Sequence, residues 1–316
     1  MMLDRISSRL RRRAGGPARL ATNWSSHSQM AKDGWLLVRV FYAVCLALHY
    51  GAWSRMSEAV KSLDSETAFW PIAWAAPFAD ETAAQVFTVF AFGVGFAALA
   101  APKLRTLRCL AALSILFHAS LANSWGGVNH AWHEMVWISA MLCLLPTGAA
   151  RGRDADIRTI VVVASVGLLL LFFYSMSGAF KIWHATAALL QGEFGGFGGF
   201  SPFAMAHTIA RRAMETLSFP PLADLIVYNP WLGWPLYLSI YYIEFCAILI
   251  AFRPRLLAAW GLALIAFHLG TAAFLGVAFP QHIIWNALFL VMAPHARSGG
   301  LSTQLADLPL FGRIFR

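Results

Sequence analysis

From Thr159 to Phe180 the chain carries no charged residue, and Arg158 and Lys181 bracket the run. A segment of about 20 apolar residues is long enough to cross a bilayer core. In lipid the backbone must satisfy its own hydrogen bonds, so such a run folds as a helix. Composition extends the constraint to the whole protein. Of 316 residues, 59% are hydrophobic and 12% are charged, against about 25% charged in soluble domains. Too few polar side chains exist to cover a soluble surface, and the same shortage excludes intrinsic disorder. The expected fold class is all-α, a polytopic integral membrane helix bundle.

Eight segments qualify as spans: 35–53, 84–101, 109–123, 132–146, 159–181, 231–252, 256–277 and 281–294. The third, fourth and eighth are short and are expected to tilt little or to start in an interface. Proline marks the breaks, at Pro102-Lys103, Pro146-Thr147-Gly148, Arg253-Pro254-Arg255 and Phe279-Pro280. Three segments follow: a basic cytoplasmic arm (1–33), a transmembrane domain (34–295) and a short cytoplasmic tail (296–316).

With the N-terminus inside, 18 of the 24 Lys and Arg residues fall on inner segments, Arg108 among them, as the positive-inside rule requires. The net charge of +9 is therefore read as topology, with the lipid bilayer as partner and no nucleic acid. The basic arm lacks the apolar core of a signal peptide. It is read as resting on anionic lipid, with a transit peptide as the alternative. The expected location is the bacterial inner (plasma) membrane, with both termini cytoplasmic. The four cysteines, Cys45, Cys109, Cys143 and Cys246, lie in apolar runs and are expected as buried free thiols.

Two outer loops are long. Residues 54–83 contain Trp70-Pro71 and Trp74, and residues 182–230 contain a Gly/Phe stretch and an amphipathic segment near 202–217. Both are expected to lie as half-buried interfacial helices on the outer face. The tail sequence Leu308-Pro309-Leu310-Phe311 is expected to pack at the inner interface.

Ionisable residues within spans are costly, and each is a functional candidate by default. Lys181 is placed at the end of the fifth helix, as a snorkelling anchor or a functional amine. Glu244 lies in the sixth helix, as a structural carboxylate or a partner of Lys181. Gly178 allows close helix packing. His118 and His268 are read as interhelical histidines, with a bis-histidine haem as the alternative. His130, His133 and Glu134 share one helix face with Trp137 and resemble a metal site in residue type. One helix supplies too few ligands for zinc, so no metal is assigned. No nucleophilic Ser or Cys motif occurs.

Taken in order, four motifs resemble the HTTM family, the membrane domain of vitamin K-dependent gamma-carboxylase. They are Asn123-Ser124-Trp125 with Asn129-His130; Tyr174, Gly178 and Lys181; Ser201-Pro202-Phe203; and Phe267-His268 with Phe274-Leu275-Gly276. The resemblance covers about 34–295. It implies a membrane enzyme in which reduced vitamin K and oxygen generate a strong base that takes a proton from a glutamate side chain. Lys181 would be the catalytic base, with His130 and Asn129 near the quinol oxygen. Trp125, Tyr174, Gly178, Glu244 and His268 would be cofactor-binding. A lysine desolvated in an apolar pocket becomes an uncharged base more readily than in water.

Two departures stand out. The family's paired lysine is Lys181-Ile182 here, and few residues follow the last span. In length the chain is similar to short bacterial members that mature a sporulation-delaying toxin. Two further readings follow. One is a non-enzymatic protein that binds, matures or exports a small peptide with a separately encoded partner. The other is a haem or metal redox protein.

Overall fold

The computed structural model describes residues 17–61, 68–124, 132–192, 199–297 and 300–315. Every regular element among them is helical. Twelve α-helices run in order: α1 (Pro17–Lys61), α2 (Glu81–Ala100), α3 (Arg105–Ala122), α4 (His133–Leu142), α5 (Arg153–Leu190), α6 (Ala204–Thr216), α7 (Ala223–Val227), α8 (Pro230–Phe245), α9 (Ala247–Ile250), α10 (Leu257–Leu275), α11 (Pro280–Asn286) and α12 (Leu301–Asp307). Two 3₁₀ turns (Ala73–Phe78 and Gly312–Phe315) and a π turn (Ala287–Val291) complete the set among the described residues.

Among the described residues three helices, α2, α5 and α10, are long and apolar enough to cross a membrane. Their outward residues fit lipid as the solvent. Val86, Val89, Phe90 and Phe96 on α2 are exposed, as are Phe172, Met176 and Phe180 on α5. Contiguous exposed apolar surface on this scale is disfavoured in water. Among the described residues the protein is all-helical, with helices apolar enough to span a membrane.

The chain divides into two compact units, residues 1–125 with 139–163, and residues 126–138 with 164–316. In the first, α1 packs on α2, and α3 packs on both. Val38, Phe41, Tyr42 and Cys45 of α1 are buried, as are the small residues Ala91 and Ala98 of α2 and Ala111 and Ala119 of α3. Small residues let helices approach closely where lipid offers no hydrophobic drive for association.

Arg108 departs from its expected place among the loop charges. It is fully buried. Its guanidinium donates to the Pro102 carbonyl at 2.6 Å and to the Leu145 carbonyl at 2.5 Å. These carbonyls end their helical turns without backbone partners, and five fixed donors make Arg the side chain suited to hold two at once.

The second unit is built on the later half of α5, which packs with α8, α9, α10 and the π turn around Leu171, Cys246, Ile250, Trp260, Leu264 and Leu290. A smaller cluster joins α6 to α7 through Met205, Ile209 and Ile226. The amphipathic segment near 202–217 is indeed helical, as α6. On its exposed side Arg211 and Arg212 pair with Glu215, and the Arg211 hydrogen bond holds that carboxyl below the usual carboxylate range.

The C-terminal segment folds back onto this unit. The Tyr242 hydroxyl donates to the Pro309 carbonyl at 2.7 Å, the Tyr242 and Phe311 rings touch, and Arg253 donates to the Asp307 carbonyl. The tail is thus packed on its own bundle through α8.

Two further expectations are corrected. α5 does not end at Lys181 but continues to Leu190. Nothing in Ile182-Trp183-His184-Ala185-Thr186-Ala187-Ala188 breaks a helix. The stop comes at Gly192, whose φ of +80° is costly for other residues. None of the four cysteines is in a disulfide, but only Cys45 and Cys246 are buried; Cys109 and Cys143 are half-buried.

Candidate functional site

The polar centre of the second unit begins with a fault in α8. The helix stops at Phe245 and resumes as α9 at Ala247. Beyond this break Ile248 takes a side-chain acceptor, donating its N–H to Ser175 Oγ of α5 at 2.8 Å. The Ser175 hydroxyl in turn donates to the Phe245 carbonyl at 3.0 Å and lies 3.3 Å from the Glu244 carbonyl. One hydroxyl thus serves backbone groups on both sides of the break, as buried polar backbone requires.

The approach that allows this runs over Gly178. A Cβ there would sit 2.8 Å from the Glu244 carbonyl carbon and would also strike the Phe245 nitrogen. Any side chain at 178 would push α5 off the 244–245 backbone.

One turn further along α5, Lys181 meets the Glu244 side chain. Its Nζ lies 2.6 Å from Oε1 and 2.5 Å from Oε2. The exposures are unequal: the Glu244 side chain is 3% exposed and that of Lys181 36%. The ammonium also lies 5.5 Å from the centroid of the Phe267 ring of α10, within the range of a cation–π contact.

Beside this pair opens a cavity of about 550 Å³. Lys181 lines it, with Tyr237, Ile240 and Ile243 of α8 and Phe267 and Phe274 of α10. Its wall is almost wholly apolar, and its size falls within the range of small-molecule pockets.

A second polar group lies deeper. The Tyr174 hydroxyl is 2.6 Å from His268 Nε2 and 2.8 Å from Asn286 Nδ2. The Asn286 amide donates to the tyrosine oxygen, so the tyrosine proton goes to His268 Nε2. That leaves the imidazole neutral, with its proton on Nδ1. The His268 ring is enclosed by Phe279 and by His282, whose ring centroid is 4.9 Å away. His282 Nδ1 lies 3.4 Å from the buried Glu134 carboxylate.

Four sequence candidates therefore meet in pairs, Lys181 with Glu244 and Tyr174 with His268, and Gly178 is the contact that lets α5 close on α8. Glu134 is directed to His282, while Trp137 on the same helix is exposed. Among the described residues no group of three or more His, Cys, Asp or Glu side chains could hold a metal ion. His118 is buried in the first unit, on α3. Trp125, Asn129 and His130 lie outside the described residues.

Sequence reasoning passed over Asn286 and His282. Their signal was present, since polar residues four apart share one face of a helix in an apolar setting. Ser175 gave no signal, because its role depends on a helix break 70 residues away.

The arrangement offers two chemical capacities. The Lys181–Glu244 pair can pass a proton between amine and carboxylate at the edge of an apolar chamber. The neutral His268, fixed by Tyr174, can accept or give a hydrogen bond without carrying charge. Compared with family models, with curated proteins and with solved structures, the chain matches none.

Proposed function

We propose that this protein is a quinol-using membrane enzyme of the HTTM, gamma-carboxylase-like type, with about eight spans and Lys181 as its base. The observation that carries the reading is an ammonium held by a buried carboxylate at the wall of an apolar cavity of about 550 Å³. The four sequence motifs support it in their order along the chain.

The residues fit a reduced quinone. Tyr237 and Phe267 put aromatic rings in the wall, the apolar lining suits a hydrocarbon tail, and Lys181 in the same wall would serve as the base for a ring hydroxyl. When bound with oxygen, a reduced quinone of the vitamin K type would supply a base stronger than any side chain. Lys181 yields its proton to Glu244 and becomes a free amine, able to accept a hydroxyl proton within hydrogen-bond reach. Glu244 keeps the exchanged proton within the site. Phe267 and Ile243 line the chamber with apolar surface, and a bound quinol would displace water there and strengthen the charge interactions. Tyr174, Asn286 and His268 hold α5, α10 and α11 in register, so Lys181 stays aligned.

Oxygen uptake tests the reading, with purified protein in lipid given a reduced menaquinone or vitamin K analogue. Uptake with quinone epoxide formation, lost in Lys181→Ala, is expected. Uptake unchanged in Lys181→Ala, or folded wild-type protein that neither binds the quinol nor consumes oxygen, would overturn it.

A further inference from the structure

The first unit holds a separate cavity that the quinol reading does not use. It measures about 380 Å³ and lies where α1 meets the loops after α2 and before α5. Lys32, Lys103 and Arg151 line it, with Asp156 as the one acidic residue on its described wall. Among the described residues, none of the three cations has a carboxylate within ion-pair distance. The nearby Asp33 is engaged instead by the Gln29 side chain at 2.8 Å. Among the described residues the lining therefore carries net positive charge with no carboxylate paired to it.

The two loops that form the cavity are fixed. Arg108 grips the Pro102 and Leu145 carbonyls beneath them. The Gly148 N–H donates to the Lys103 carbonyl at 3.1 Å and ties one loop to the other. Trp35 forms part of the wall, with Lys103 Nζ 5.8 Å from its ring centroid. Trp35 stands within α1 where the apolar stretch of that helix begins, and a tryptophan at such a boundary suits the headgroup level of a membrane. Ser28 and Thr147 add hydroxyl donors to the lining.

We infer that this cavity binds a phosphate group, supplied by the headgroup of an anionic phospholipid. Three cations and hydroxyl donors match the acceptor oxygens of a phosphate diester. Basic pockets between membrane helices are the usual receptors for such headgroups. A tryptophan beside them places the site where the glycerol backbone lies, with the acyl chains outside against α1. The inference stands independently of the quinol reading, because it rests on other residues in the other unit.

The test uses the full chain purified in neutral detergent, with bound species counted by native mass spectrometry. Phosphatidylglycerol, phosphatidylcholine and inorganic phosphate are titrated separately. Phosphatidylglycerol is expected to bind at least about tenfold more tightly than phosphatidylcholine. The triple variant Lys32→Gln/Lys103→Gln/Arg151→Gln should lose about 10- to 100-fold of that affinity, with phosphatidylcholine binding unchanged. Lys32→Arg/Lys103→Arg should keep the preference. Should the triple variant fail to fold, Arg151→Gln alone carries the test, since this side chain is exposed; a loss of about threefold or more is expected. Equal affinity for the two lipids, or a preference that survives neutralisation, would overturn the inference. Inorganic phosphate binding more tightly than phosphatidylglycerol would overturn the lipid as its source.

Discussion

Removing one member of the Lys181–Glu244 pair should cost very different amounts depending on which is removed. Lys181→Met leaves the Glu244 carboxylate in place with its side chain 3% exposed. A buried charge stripped of its partner destabilises by about 3–5 kcal/mol. Glu244→Gln leaves an ammonium on a side chain that is 36% exposed. That group can turn outward, and screening cuts its loss to about 1 kcal/mol. The double variant Lys181→Met/Glu244→Gln removes both charges and should lie within about 1 kcal/mol of wild type, because a buried ion pair roughly breaks even against neutral groups of similar volume. The resulting coupling is about 3 kcal/mol or more. Equilibrium unfolding of the four proteins in mixed micelles, followed by circular dichroism, measures it. Equal costs for the two single variants, or additive costs in the double, would refute the argument from unequal burial.

Tyr174→Phe should destabilise by about 1–3 kcal/mol, since it strands both His268 Nε2 and Asn286 Nδ2; a melting curve in lipid nanodiscs reads the loss, and an unchanged midpoint would contradict the network. Gly178→Ala should cost about 1–3 kcal/mol through overpacking against the 244–245 backbone. It should also lower crosslinking between cysteines placed on the facing surfaces of α5 and α8, and unaltered crosslinking would refute the close approach.

The helical class and the presence of helices apolar enough to cross a membrane were legible without coordinates, because both follow from sums over neighbouring residues. The uncharged run before Lys181 is such a sum, and it appears as the apolar heart of α5. The end of that helix was misplaced by nine residues, from Lys181 to Leu190. A charge after an apolar run marks where lipid contact ends, whereas a helix ends only where the backbone changes conformation, here near Gly192. Arg108 was misplaced for a related reason. Its charge suggested a loop, and only the fold brings two carbonyls with no backbone partners within its reach.

The candidate residues Lys181, Glu244, Tyr174 and His268 were all visible as ionisable or polar groups set in apolar runs, where each demands an explanation. Which of them meet was decided by tertiary structure. Lys181 and Glu244 are 63 residues apart, and Tyr174 and His268 are 94 apart. Their meeting depends on Gly178 admitting the 244–245 backbone and on Ser175 serving the break in α8. Hydropathy acts through each residue's own transfer free energy, so the sequence alone determined helicity, the apolar runs and the set of polar residues needing partners. Pairing acts through directions and distances of a few ångströms between distant segments, so only the packed helices decided that a lysine and a glutamate share the wall of an apolar chamber.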